Sequence, residues 1–151
     1  MAVNPDLLPK DSGVYLYLIC GHGREHEPLS PVKIGITANV AARLASVQTG
    51  QHTRLSVLAA FTTPNRDIAR TLESQWHRHF AKHRLEGEWF DVDPITALEV
   101  MCLGWRHYFQ NVPEFINFVD IPFYEREAKV MRAWREYYAA NSNVVSIKKA
   151  D

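Results

Sequence analysis

The sequence holds only two cysteines, Cys20 and Cys102, far apart and without Cys-x-x-Cys spacing, which excludes a disulfide scaffold and a zinc or redox centre of that type. Both read as buried free thiols. Net charge is also lacking: seventeen basic residues balance seventeen acidic ones, although affinity for phosphate comes mainly from Lys and Arg. Long hydrophobic runs are absent. The stretch Val57 to Phe61 is among the longest and falls far short of a bilayer span, and Met1 to Asp6 has no basic segment followed by an apolar one. A cytoplasmic chain with no membrane partner is expected. No internal repeat or low-complexity tract appears.

What is present is ordinary for a packed protein: 151 residues, 46% hydrophobic and 23% charged, enough for one good core plus an elaboration. The zero net charge hides two opposed stretches. From Arg66 to Arg84 lie Arg66, Arg70, Arg78, Lys82 and Arg84 with three histidines, against only Asp67 and Glu73. From Glu86 to Glu127 acidic residues dominate.

Periodicity gives the elements. Gly13 to Cys20 is β-branched and aromatic and reads as a first strand, with Tyr15 and Tyr17 on one face. Gly21 to Pro31 reads as a loop and Val32 to Ile36 as a second, antiparallel strand. Gly35 within it marks a bulge or a close approach to the backbone. Thr37 or Asn39 caps a helix carrying Val40, Leu44 and Val47, with Gly50 as its stop. Leu55 to Phe61 is a third strand. Thr63 and Pro64 read as the cap and first residue of a helix with an apolar stripe of Ile68, Leu72, Trp76 and Phe80. A short extended piece, Trp89 to Val92, precedes a helix from Asp93-Pro94 to about Gln110. Irregular chain then leads to a last helix over about Phe123 to Ala140. This order is not the regular alternation of a doubly wound sheet. The expected class is α/β of the α+β kind: a small three-stranded antiparallel sheet flanked by helices, with a two-helix C-terminal extension. The domain expected over residues 1–92 carries that extension over 93–151, with a flexible tail from about 141.

Gly13-Val14-Tyr15 resembles the GIY signature, and Val32-Lys33-Ile34-Gly35-Ile36-Thr37 resembles its YIG partner in a branch that reads Lys-Ile-Gly-x-Thr. Arg43 in the first helix, Glu73 in the second and Gly87-Glu88-Trp89-Phe90 follow in that branch's order. Residues from about 12 to 92 thus resemble a GIY-YIG endonuclease domain. The resemblance implies hydrolysis of DNA phosphodiester bonds with one divalent metal, Mg2+ or Mn2+. It implies Glu73 as the metal ligand, a tyrosine that helps activate water, and Arg43 steadying the phosphate. A cation supported by a carboxylate stabilises charge building on the leaving oxygen of an in-line displacement.

The residues bear this reading independently. At 100° per residue, Glu73 falls about 20° beyond the edge of its helix's apolar stripe, and Arg43 borders the Val40, Leu44, Val47 stripe. Boundary charges of this kind also occur merely as solvated heads on buried stems. Tyr15 completes the literal triplet while Tyr17 matches the spacing to the strand's end, so both stay candidates for the phenol. Lys33 stands where most of the family has its second tyrosine. Arg70, Arg78 and Lys82 are the candidate DNA contacts. His77, one turn beyond Glu73, and Glu88 are accessory candidates. His79 and His83 have an i, i+4 spacing that can hold zinc, but no third ligand is placed, and a solvated surface accounts for them. The aromatic C-terminal helices extend a core and also suit a homodimer surface. The expected function is a metal-dependent DNA endonuclease. Its rival is a GIY-YIG-fold DNA-binding or regulatory module that has lost cleavage, favoured by Lys33 and the zero net charge.

Overall fold

The structure is a computed structural model that describes residues 8–9, 13–25, 27–109 and 115–116. Strand β1 spans Val14–His22, β2 Pro28–Thr37, β3 Leu55–Thr63, β4 Trp89–Phe90 and β5 Phe115–Ile116. All pairings are antiparallel, in the order β4-β2-β1-β3-β5. The expected three-stranded sheet is therefore corrected. The three long strands are there, but two short ones flank them, β4 from the Trp89 segment and β5 from a segment read as irregular. A two-residue strand has too little alternation to register as a periodic signal. Helices α1, α2 and α3 span Val40–Gln48, Arg66–His79 and Pro94–Phe109, so the α+β class holds.

The central strand β1 is apolar on both faces because both are covered. Leu16, Leu18 and Cys20 pack with Leu72 and Trp76 of α2, with Phe80 just past its end, and with Ile95, Leu98 and Met101 of α3. Tyr15, Tyr17 and Ile19 pack on the opposite face with Val40, Leu44 and Val47 of α1. A register shift between Leu18 and Ile19 against β3 marks a bulge, and there Leu58 and the adjacent Ala59 both face the α2 side. Strands β1 and β2 run on past the expected ends, to His22 and from Pro28, with a second shift between Cys20 and Gly21. Cys20 and Cys102 are buried thiols not joined in a disulfide, as expected. Burial, with the nearby Glu99 charge, pushes the Cys102 thiol up to about 12, which keeps it protonated and inert.

Cap chemistry sets the helix starts. Asn39 accepts from the Ala42 N–H at 2.9 Å and opens α1, and Gly50 beyond its end takes a left-handed φ of 82°. Helix α2 does not start at Thr63-Pro64. Thr63 is still in β3, donating its hydroxyl to the Val14 carbonyl at 2.6 Å, and Asn65 is the cap, accepting from the Ile68 N–H at 2.9 Å. The apolar stripe shifts with it: Ile68 is 37% exposed, while Ala69 is fully buried beside Leu72 and Trp76. The helix ends at His79, and Ala81–His83 forms a 3-10 turn, so His79 and His83 do not share one helix face. Asp93 caps α3 by accepting from the Thr96 N–H at 3.0 Å. The expected helix near Phe123 to Ala140, the tail and a homodimer surface on that helix lie outside the described residues. Among the described residues no helix is long and apolar enough to cross a membrane.

The cap assignment is testable by urea unfolding. Asn65→Ala should lower stability by about 1 kcal/mol as a midpoint shift at unchanged slope, whereas Pro64→Ala should cost much less.

Candidate functional site

Strand β4 covers only part of β2, pairing with Val32 and Lys33. Beyond that point the outward backbone groups of β2 must find other partners, because unpaired polar groups at a covered edge are costly. The Ile34 N–H donates to the Glu88 carbonyl at 3.2 Å. The Ile34 carbonyl meets His77 Nε2 at 2.7 Å. A carbonyl only accepts, so Nε2 donates to it, and Nδ1 on the other side of the ring faces Arg84 Nη2 at 3.3 Å. Glu73, one turn earlier on α2, is placed against Ile36, whose N–H favours the ionised carboxylate.

Gly35 lies between these two points. Tyr17 is its cross-strand partner, and the phenol ring lies directly over the glycine. A Cβ there would collide with Tyr17 Oη and Cζ and come within 2.8 Å of Glu88 Oε2. The phenol and the Glu88 carboxylate therefore converge on one glycine. The Tyr17 hydroxyl is buried and makes no hydrogen bond of good geometry, although the Arg43 guanidinium stands close enough to favour the phenolate. Burial raises its pKa above the ordinary phenol value, the Glu88 charge adds to this, Arg43 opposes it and Glu73 adds again. Burial likewise raises the Glu73 carboxyl above its usual range, helped by the adjacent Glu88, while charge on His77 would pull it down. Glu88 itself is ion-paired with Lys33, Nζ to Oε2 3.2 Å, and the ammonium lies 5.7 Å from the centre of the Trp89 ring.

The structure thus gathers Tyr17, Lys33, Arg43, Glu73, His77 and Glu88 around Gly35 from β1, β2, α1, α2 and the turn before β4. Arg43 is exposed, and Glu73 and His77 are half-buried. Tyr15 is buried two residues along β1, opposite Thr37, away from that convergence. Arg70, Arg78 and Lys82 are all exposed. At 100° per residue Arg70 lies about 60° from Glu73 around α2, and Arg78 about 140° away. Arg66 was not singled out from the sequence, yet it lies about 20° from Glu73; its spacing of seven residues was the available signal. Arg84, 5.4 Å from the centre of the Phe90 ring, had no such signal, because it follows the end of α2.

Two carboxylates side by side are oxygen donors suited to a hard divalent cation that keeps several waters. Among the described residues no group of three or more His, Cys, Asp or Glu could hold a metal ion. Glu73 and Glu88 would therefore supply only part of a coordination shell.

The T5orf172 domain family matches residues 14–105, well over half of the chain. The chain belongs to this family. The T5orf172 match takes in every residue of the cluster around Gly35, together with α3 as far as Trp105, and the core that α3 completes runs to Cys102. No curated protein and no solved structure matches the chain.

The raised Glu73 carboxyl has a consequence for stability. As pH rises past the ordinary value of 4.5, the unfolded chain loses this proton before the folded one does, so the stability present below 4.5 is lost as pH rises through the higher folded value. Glu73→Gln cannot ionise. It should melt at a higher temperature than the wild type at pH 7, with the gap closing below pH 4.5.

Proposed function

We propose that the chain is a metal-dependent DNA endonuclease of the GIY-YIG type. The observation that carries this reading is the convergence on Gly35 of a buried Tyr17 hydroxyl, without a well-aligned hydrogen bond, with Glu73, Glu88 and Arg43. An unsatisfied buried hydroxyl costs about 1–3 kcal/mol, which is retained most readily where a ligand completes it. The T5orf172 family occurs in phage and nuclease-like proteins, which supports the reading at the level of class.

Each side chain has a part that its chemistry allows. Glu73 and Glu88 would hold the cation. When bound, Mg2+ or Mn2+ supplies charge stabilisation for the leaving oxygen. The exposed Arg43 guanidinium makes a bidentate contact to the scissile phosphate. The Tyr17 phenol, with its pKa raised, is protonated at neutral pH, so it orients the attacking water as a hydrogen-bonding group. His77, hydrogen-bonded to the Ile34 carbonyl, stands one turn from Glu73 on α2. Tyr17, not Tyr15, is therefore assigned the chemistry.

A second reading rests on the Lys33–Glu88 ion pair, which neutralises a carboxylate the cation would need. On that reading the chain is a DNA-binding or regulatory module without cleavage.

Assays on supercoiled, linear and branched DNA with magnesium or manganese decide between them. Glu73→Gln, Arg43→Lys and Tyr17→Phe should each cut at least about a hundredfold more slowly while still folding. Tyr15→Phe should keep its activity. Wild-type protein that binds these DNAs but cuts none of them would leave the second reading. A further expectation concerns the DNA grip: Arg66→Ala and Arg70→Ala should each lower the log-log salt slope of DNA binding by about one, and Arg78→Ala by less. Equal effects from all three would show that the flank of α2 carrying Glu73 is not the phosphate-facing one.

A further inference from the structure

Next to the cluster, on the same face of the sheet, lies a cleft of about 360 Å3 that the chemistry above does not use. Trp89, Leu29 and Leu85 are its apolar walls, and Gln51 and Glu86 bring polar groups to it. Leu29 and Leu85 are two of only three large hydrophobic side chains exposed among the described residues, at 36% and 57%. Exposed apolar groups meeting in one concave place, with a few polar groups beside them, make the usual form of a small-ligand site.

The cleft is built. Gln48 at the end of α1 accepts from the Leu55 N–H at 2.8 Å and donates to the Thr53 carbonyl at 3.1 Å, which fixes the wall that Thr53 and Leu55 provide. Gly21 brings the end of β1 against that wall, where a Cβ would come within 2.6 Å of Thr53 Cγ2. Ser30 on the opposite side is held by a 2.8 Å hydrogen bond to Asp91.

Position and charge say what fits. Lys33 and Trp89 are cross-strand partners, so the ammonium that pairs with Glu88 at the cluster also lies over the ring that walls the cleft. Gly35 and Pro31, at the two places, are four residues apart on β2, about 13 Å at the usual rise. The Glu86 carboxylate disfavours a phosphate within the cleft. It favours a flat, uncharged group with amino hydrogens, which describes the edge of a nucleobase, and an indole provides the kind of ring on which bases stack.

We infer that this cleft takes one unpaired nucleobase of the strand whose phosphate lies at the Gly35 cluster, so that the protein favours DNA with a bulged or frayed base over continuous duplex. This rests on the endonuclease reading for the neighbouring phosphate position.

Fluorescence anisotropy at one fixed salt concentration tests it, using a matched DNA duplex, the same duplex with one bulged adenine, and one with an abasic residue at the bulge. The wild type should bind the bulged duplex about tenfold more tightly than the matched one, the lower range for one stacked base. The abasic bulge, which bends alike but lacks the base, should lose that advantage. Leu29→Ser combined with Leu85→Ser, at exposed positions, should lose it too, with matched-duplex binding unchanged. A bulge advantage that is missing, or that survives the abasic residue or the double variant, overturns the cleft assignment alone, because duplex binding and cutting then persist. Binding of none of the three DNAs overturns the assignment together with the function it rests on. If the double variant fails to melt cooperatively, the abasic comparison in the wild type still decides.

Discussion

The site depends on one close contact, the ring of Tyr17 laid over the bare backbone of Gly35. Glycine there lets a large side chain from β1 cross β2 and deliver its hydroxyl to the sheet's edge, next to Glu88. Any side chain at position 35 would push the phenol away or displace the carboxylate. Overpacking of this kind costs about 1–3 kcal/mol in a well-packed interior, but its chemical effect would be larger, because the convergence itself would be lost.

The second constraint is the short strand β4. With only two residues it leaves the rest of the β2 edge to be satisfied from elsewhere, and the groups that do so are the Glu88 carbonyl, His77 and Glu73. The requirement to pair backbone groups thereby recruits polar side chains to one place. A longer β4 would have sealed the edge with main-chain bonds and left no room for them. The cluster is electrostatically costly: two neighbouring carboxylates, one with a raised pKa, and a phenol whose hydroxyl is buried without a well-aligned hydrogen bond. Lys33 offsets part of this through its pairing with Glu88. Sites that accept such costs are where function is expected, since folding alone gains nothing from them.

Both faces of the sheet are covered, which is uncommon for an antiparallel sheet. Helices α2 and α3 close one face and α1 the other, so the cluster forms where α2 reaches β2 and Arg43 of α1 approaches Tyr17 of β1. Arg43 comes from one layer and Glu73 from the other, on either side of Gly35. The cleft walled by Trp89 continues the same face beyond Lys33, so one row of side chains along β2 links the two places.

Much of the framework was legible in the residues alone. Local signals with a strict period or a capping group, such as the apolar β1, a cap at Thr37 or Asn39, Gly50 and the Asp93-Pro94 start of α3, named the long strands and the helices α1 to α3, although α2 starts after Asn65 and not at Thr63-Pro64. Gly35 announced a close approach without saying what approached. Period two could not choose between Tyr15 and Tyr17, since both point to one face; only the pairing of Tyr17 with Gly35 assigns one of them to the cluster. Glu88 looked accessory because its neighbours in sequence are Gly87 and Trp89, whereas its neighbours in space are Glu73, Lys33 and Tyr17. The apolar stripe of α2 was read one residue off, through Ile68 instead of Ala69, because a small alanine gives a weaker apolar signal than an isoleucine that turned out exposed. The sequence by itself determined the three long strands, the helices α1 to α3 and which charged residues border a core, since these follow from interactions a few residues apart. Tertiary structure alone decided which of those charges meet, because the meeting depends on where β4 stops pairing with β2 and on contacts between residues tens of positions apart.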